Sequence, residues 1–239
     1  MTRRSSTALS LLPLSASLLI GCASAQSLDA QSGQLKAAID AAERGQLAPA
    51  QAAALSRHPA YGWVEFAQLR RNIDTVDTGQ AQAFLKRYDG QAVANSFRSV
   101  WLPSVARRQD WPTLLANWAP TDNLGLRCAQ LTARQATGKV DPQWISEAQD
   151  LWRKNGKSLP DACDAVFAVL QAQGGMSDAL RWERVDAAAD AQQPAVMRSA
   201  ARGLPAADLT LANTYAAFVD KPNTSALNWP RNERSRRIA

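Results

Sequence analysis

From Leu35 onward, apolar positions recur three and four residues apart, a spacing that predicts a succession of short helices with explicit stops. In "QLKAAIDAAERG", Leu35, Ala38, Ile39 and Ala42 share one face, and Gly45 ends the run. Pro49 opens the next helix at its first position, where a missing N–H costs nothing. "YGWVEFAQLRRNI" sets Trp63, Phe66, Leu69, Arg70 and Ile73 along a mostly apolar stripe. "TGQAQAFLKRYDG" and "QAVANSFRSVWLPSVARRQ" follow, divided at Gly90. Asp110 before Pro112, and Asp141 before Pro142, read as capped helix starts. Further helices are predicted over residues 123–137, 143–155, 161–173, 177–191, 195–202 and 207–219.

No strand-like alternation interrupts this pattern. Several helices begin with proline after a short turn ("RGQLAP", "RRQDWP", "TGKVDP"), as at the joints of helical hairpins, but their intervals are uneven. The expected fold is therefore all-α: an irregular α-solenoid, in which each helix packs mainly on its neighbours along the chain. In that architecture helices separated by one intervening helix lie side by side. The expected division is a signal sequence over residues 1–25, a flexible lead over 26–34 and an α-superhelical domain over 35–239.

The N-terminus carries an export pattern: Arg3 and Arg4, an apolar run from Ala8 to Ile20, then small residues. The run is too short to read as a membrane span. Two processing routes fit. Ala23-Ser24-Ala25 suits cleavage before Gln26, while "LIGC" ending at Cys22 resembles the lipobox of bacterial lipoproteins, whose cysteine is acylated. The second accounts for a cysteine at that distance from the apolar run. Either route takes the protein out of the cytoplasm.

Export decides how the remaining cysteines read. With Cys22 removed or lipidated, Cys128 and Cys163 form an even pair, in an oxidising compartment most simply a disulfide. They flank the predicted helix at 143–155, so they fall on a next-but-one helix pair. A zinc site is a poor alternative with one histidine in the chain, and no C-x-x-C redox motif occurs. The formal charge of +6 is concentrated at the ends: Arg3 and Arg4, then Arg231, Arg234, Arg236 and Arg237 in "RNERSRR". The body between is close to neutral, which excludes a broad nucleic-acid face.

Four features of the chain could carry chemistry. Gly156-Lys157-Ser158 looks like the end of a phosphate-binding loop, but Leu151 stands where that motif needs its first glycine, and a helix precedes it. Gly156 is expected instead as a left-handed helix C-cap, with Lys154 at the helix's negative end and Ser158 or Asp161 capping the next helix. His58, before Pro59 at a helix end, reads as structural. Glu65 and Glu183 lie in aromatic helices and are expected to pair with Arg70 or neighbouring arginines. The eight tryptophans mostly fall on apolar stripes and read as core; Trp111, in a turn, is the expected exposed one. No catalytic residue, cofactor motif or metal set emerges.

Five segments in order carry a resemblance: "HPAYGWVEFAQLRR", "FLKRYDGQAVANSFRSVWLPSVARRQDWPTLLANW", "LRCAQLTARQATG", "LWRKNGKSLPDACDAVF" and "WERVDAAADAQ". Together they resemble the N-terminal superhelical region of the soluble lytic murein transglycosylases. The resemblance covers most of the chain after about Leu35, and it places Cys128 and Cys163 at the family's cysteine pair. It implies an exported protein of the periplasm. The family cleaves peptidoglycan glycan strands between N-acetylmuramic acid and N-acetylglucosamine and leaves a 1,6-anhydro product. Its catalytic glutamate, followed by serine, lies in a C-terminal lysozyme-like domain. No Glu-Ser pair occurs in this chain, so the resemblance transfers no catalytic residue. It implies a helical piece that stops before any catalytic domain, inactive alone and serving as a scaffold or glycan guide. The implied partners are glycan strands, the missing catalytic domain or other cell-wall proteins, and the outer membrane if Cys22 is acylated. The competing reading is a stand-alone periplasmic helical lipoprotein that binds proteins or cell-wall glycan. Around Leu227 and Trp229, where a further repeat would pack, the end is expected to be poorly ordered or to drive association.

Overall fold

The computed structural model describes the backbone of residues 19–222 and the side chains of residues 30–222. Among these residues there are twelve α-helices, two 3-10 turns and no strand. The helices are α1 (Leu19–Arg44), α2 (Pro49–Leu55), α3 (Gly62–Arg71), α4 (Thr78–Arg87), α5 (Ala92–Arg107) and α6 (Trp111–Ala116). They continue with α7 (Leu124–Ala136), α8 (Pro142–Arg153), α9 (Asp164–Ala172), α10 (Asp178–Asp190), α11 (Pro194–Ala200) and α12 (Ala206–Asp220).

The helix boundaries follow from local chemistry. Asp77, Asp110, Asn123, Asp141 and Ser177 each accept a hydrogen bond from a backbone N–H of the first turn they cap. Gly138, at φ +74°, ends α7, and the next N–H (Lys139) bonds back to the Arg134 carbonyl at 2.8 Å. After α10, Gln192 takes the same left-handed conformation at φ 54°, and Gln193 N–H reaches the Ala188 carbonyl at 2.8 Å. The N-terminal helix differs from the sequence expectation: α1 runs through residues 26–34, read above as a flexible lead. Residues 30–34 are exposed, so the helix extends there without an apolar face to announce it.

Packing alternates along the chain. α1 packs on α3, α3 on α5 and α5 on α7; farther on, α8 packs on α10 and α10 on α12. Next-but-one neighbours thus form the layers, as in a solenoid of helical pairs. Four apolar cores follow one another. The first lies between α1, α2 and α3 around Val64; the second, from α3 to α7, is centred on Phe97 and Trp101. The Phe97 ring lies 4.8 Å from Phe84 and 5.7 Å from Trp101. The third core, around Trp144, Leu151 and Leu170, meets the fourth, around Met197, through Trp152, which touches both. α8 shows how the pattern encodes this: Trp144, Ala148 and Leu151 are buried at i, i+4 and i+7, while Gln143 and Ser146 face solvent.

Candidate functional site

Cys128 on α7 and Cys163, just ahead of α9, are joined by a disulfide, and both are fully buried. The bond ties two next-but-one elements across the ends of α8. Leu151 to Phe167, which contains the phosphate-loop look-alike, turns around this staple. Gly156 is not a left-handed cap: α8 ends in Lys154 with ordinary helical φ and ψ, and Gly156 is absent from the positive-φ glycines. Its requirement is space. A Cβ there would lie 2.0 Å from the Ala187 carbonyl oxygen on α10. Lys154 does sit at the helix end, paired with Asp150 at 2.7 Å. Neither Ser158 nor Asp161 caps the following turn, whose N-cap is Pro160 without a side-chain bond. Close packing of the turn on α10 replaces both expected caps.

Several clefts flank this region. One, about 840 Å³, opens between α6, α7 and α8 and is rimmed by Trp118, Arg127, Gln130 and Lys139. Its centre is an ion-pair network. The Arg134 guanidinium, 11% exposed, donates to Asp141 at 2.9 Å and to Glu147 at 2.8 Å. Gln143 Nε2 donates to the other oxygen of Glu147 at 2.8 Å. The Trp144 N–H bonded to Asp141, helped by Arg134, holds that carboxyl below the usual carboxylate range. Both carboxylates are therefore committed as acceptors. The cleft offers polar groups and an aromatic edge, chemistry suited to holding a hydroxylated polymer.

Another cleft, about 490 Å³, lies between the end of α8 and helices α9, α10 and α11. It contains two buried cations, Arg181 and Arg184, which the sequence reading missed. The signal was in "DALRWERVD". Leu180, Arg184 and Ala188 follow one another at i, i+4 and i+8, which puts an arginine on the apolar stripe.

Other sequence candidates have structural partners. His58 Nδ1 accepts from the Ala60 N–H at 3.1 Å, so it shapes the turn before α3. Glu65 pairs with Arg87 at 2.7 Å and accepts from the Tyr88 hydroxyl at 2.9 Å, rather than pairing with Arg70, whose partner is Glu43 at 3.7 Å. α4 carries the cation to Glu65 from the next helical pair, which spacing within α3 could not reveal. Desolvation, with the Glu65 bond, pushes Tyr88 up to about 12. Glu183 reaches Arg153 at 3.6 Å. Among the described residues the exposed tryptophan is Trp63, at 36%, not Trp111, which packs partly into the second core. Cys22 lies in α1 among residues whose side chains are outside the described ones, and Leu227 and Trp229 lie outside the described residues. Among the described residues no helix is long and apolar enough to cross a membrane, and no group of three His, Cys, Asp or Glu could hold a metal ion.

The geometry defines a class: an all-α superhelix of paired helices, stapled by one buried disulfide, with polar clefts between successive pairs. Within that class, the chain is homologous to the soluble lytic murein transglycosylases over part of their length. It is 28% identical over 172 residues to the soluble lytic murein transglycosylase of Escherichia coli K12, which covers 71% of this chain and 26% of that protein. The Salmonella typhimurium counterpart is also 28% identical, over 171 residues. Among solved structures, the 70-kDa soluble lytic transglycosylase of Escherichia coli superposes with a TM-score of 0.71 at 25% identity, covering 88% of this chain and 34% of that one. The same fold is shared with the lytic transglycosylase Slt of Pseudomonas aeruginosa, at TM-score 0.70 and 22% identity over 86% of this chain and 34% of that one. It is shared also with a 70-kDa soluble lytic transglycosylase in complex with bulgecin A, at TM-score 0.72 and 24% identity over 88% of this chain and 35% of that one. No family model matches the chain. The chain thus spans about a quarter of the length of the curated relatives it matches.

Proposed function

We propose that this chain acts at the bacterial cell wall as the non-catalytic helical superhelix of a lytic transglycosylase, holding or guiding peptidoglycan glycan strands. The observation that carries the reading is the joint likeness in sequence and fold to one helical region of the soluble lytic murein transglycosylases. The disulfide fits an oxidising compartment, so the chain works in the periplasm after residues 1–25 have directed export. If the lipobox is used, acylation of Cys22 anchors it to the outer membrane. On this reading the superhelical domain is the span 35–239, of which 223–239 lie outside the described residues, and the cleft around Trp118, Arg127 and Gln130 is the surface best suited to glycan. No Glu-Ser pair is present in the 239 residues, so cleavage by this chain alone is not expected.

Cosedimentation with purified sacculi tests the binding role. Retention of the chain in the pellet is expected, and its recovery wholly in the supernatant would overturn that role. A peptidoglycan zymogram tests the second half of the reading. An unlysed lane is expected; a clear lytic band would show that the chain cleaves glycan itself.

A further inference from the structure

Three arginines line the cleft between α8, α9, α10 and α11: Arg202 is exposed, while Arg181 and Arg184 are buried with no carboxylate paired to either. Arg181 and Arg184 are only 6% and 5% exposed. Arg181 donates to the Arg202 carbonyl and, at 3.5 Å, to Gln171 Oε1. Arg184 makes two long bonds, each 3.5 Å, to the carbonyls of Trp152 and Lys157, and its buried Nε has no acceptor. Its Cζ lies 4.4 Å from the centre of the Trp152 ring and 5.9 Å from that of Phe167. No nearby acid forms an ion pair with either cation, and only Asp178 acts on Arg181 from a distance. Glu183 pairs with Arg153, and Asp164 lines the same cleft without an ion pair to either arginine.

A guanidinium cannot shed its proton at neutral pH, so burial leaves its charge in place. Desolvation lowers Arg184 only to about 10. Long bonds to neutral carbonyls are a weak substitute for the solvation lost, whereas a carboxylate matches the guanidinium fork with two parallel, charge-assisted hydrogen bonds. Beside the cations, Trp152 and Phe167 meet edge to face at 4.9 Å and supply an apolar wall. A volume of about 490 Å³ suits a guest the size of a sugar or a dipeptide.

We propose that this cleft is a receptor for a small organic carboxylate, held by Arg181 and Arg184 with its apolar part against Trp152 and Phe167. Which carboxylate it meets rests on the cell-wall reading; the existence of the site does not. Peptidoglycan offers the required chemistry, a carboxylate beside a methyl group, from two sources. One is the lactyl group of N-acetylmuramic acid, the other the end of an alanine-terminated peptide.

The experiment is an NMR titration of the 15N-labelled full chain with N-acetylmuramic acid, D-alanyl-D-alanine and N-acetylglucosamine, following the Trp152 indole resonance. A saturable shift with one or both acids is expected, with N-acetylglucosamine binding at least about tenfold more weakly for want of a carboxylate. Whichever acid binds identifies the source. Arg184→Met should lose the response, and Arg181→Lys should weaken it if the Met variant does not fold. The ligand comparison on the unaltered chain decides in any case. No shift with either acid, or equal binding of the neutral sugar, overturns the proposal. Sacculus retention of the same preparation is read separately. Retention without acid binding removes this site and leaves the cell-wall role, while acid binding without retention does the reverse.

Discussion

The carbonyl oxygen of Ala187 occupies the place where a side chain at Gly156 would begin: a Cβ there would lie 2.0 Å from it and 3.0 Å from the Ala191 Cβ. The turn after α8 is thereby pressed against the last turn of α10. The obstacle is backbone, which cannot swing aside as a flexible side chain would.

Gly156→Ala should therefore destabilise the fold by about 3 kcal/mol, the upper end of ordinary overpacking. Gly33→Ala is the matched control, because a Cβ at this helical position of α1 meets nothing within 4 Å. It should cost nothing, since alanine is the better helix former. Urea unfolding midpoints of the two variants check the contrast.

The staple between Cys128 and Cys163 closes a loop with a sequence separation of 35. Replacing both cysteines by serine should cost about 3–4 kcal/mol in the chain-entropy model. Reduction of the native chain should lower its guanidinium midpoint to nearly the same value as the double variant. An unchanged midpoint on reduction would show that the bond adds nothing to the packing of α7 on α9.

Two fully buried tryptophans should respond differently to the same change. Trp144 donates its indole N–H to the Leu131 carbonyl at 2.8 Å, whereas the buried Trp101 Nε1 has no hydrogen-bond partner. Trp144→Phe loses a buried hydrogen bond, and Trp101→Phe removes an unsatisfied donor. The first should be more destabilising by about 1–2 kcal/mol, measured as the difference between their unfolding free energies.

Acid should weaken the start of α8 through Asp141, whose carboxyl is held below its usual range by the Trp144 N–H and Arg134. Because the folded state lowers this pKa, the contribution is complete above the unfolded value, about 3.9. It is lost as pH falls through the still lower folded value. Stability measured by urea unfolding should drop below about pH 4. Asp141→Asn should make that fall shallower and leave the trend above pH 5 unchanged.

The helices were legible because each is written locally. Asp110 and Asp141 announce helix starts, Gly45 marks a stop, and Trp144, Ala148 and Leu151 repeat at helical spacing. The cysteine pair was legible for a different reason: reading the chain as exported sets Cys22 aside and leaves two thiols that fall on next-but-one helices. α1 was read too short, because exposed helix without an apolar stripe looks like a linker.

By itself the sequence determined the all-α class, the succession of helical pairs and the likeness to a helical region of lytic transglycosylases, since periodicity, caps and ordered segments are properties of neighbours along the chain. Only the tertiary structure decided that Gly156 is needed for close approach to Ala187, that Glu65 pairs with Arg87, and that Trp63 rather than Trp111 is exposed. It also decided that Arg181 and Arg184 lie buried in one cleft without a carboxylate partner. Each of these depends on where another helix lies, and the distance between helices is not written in the spacing within one.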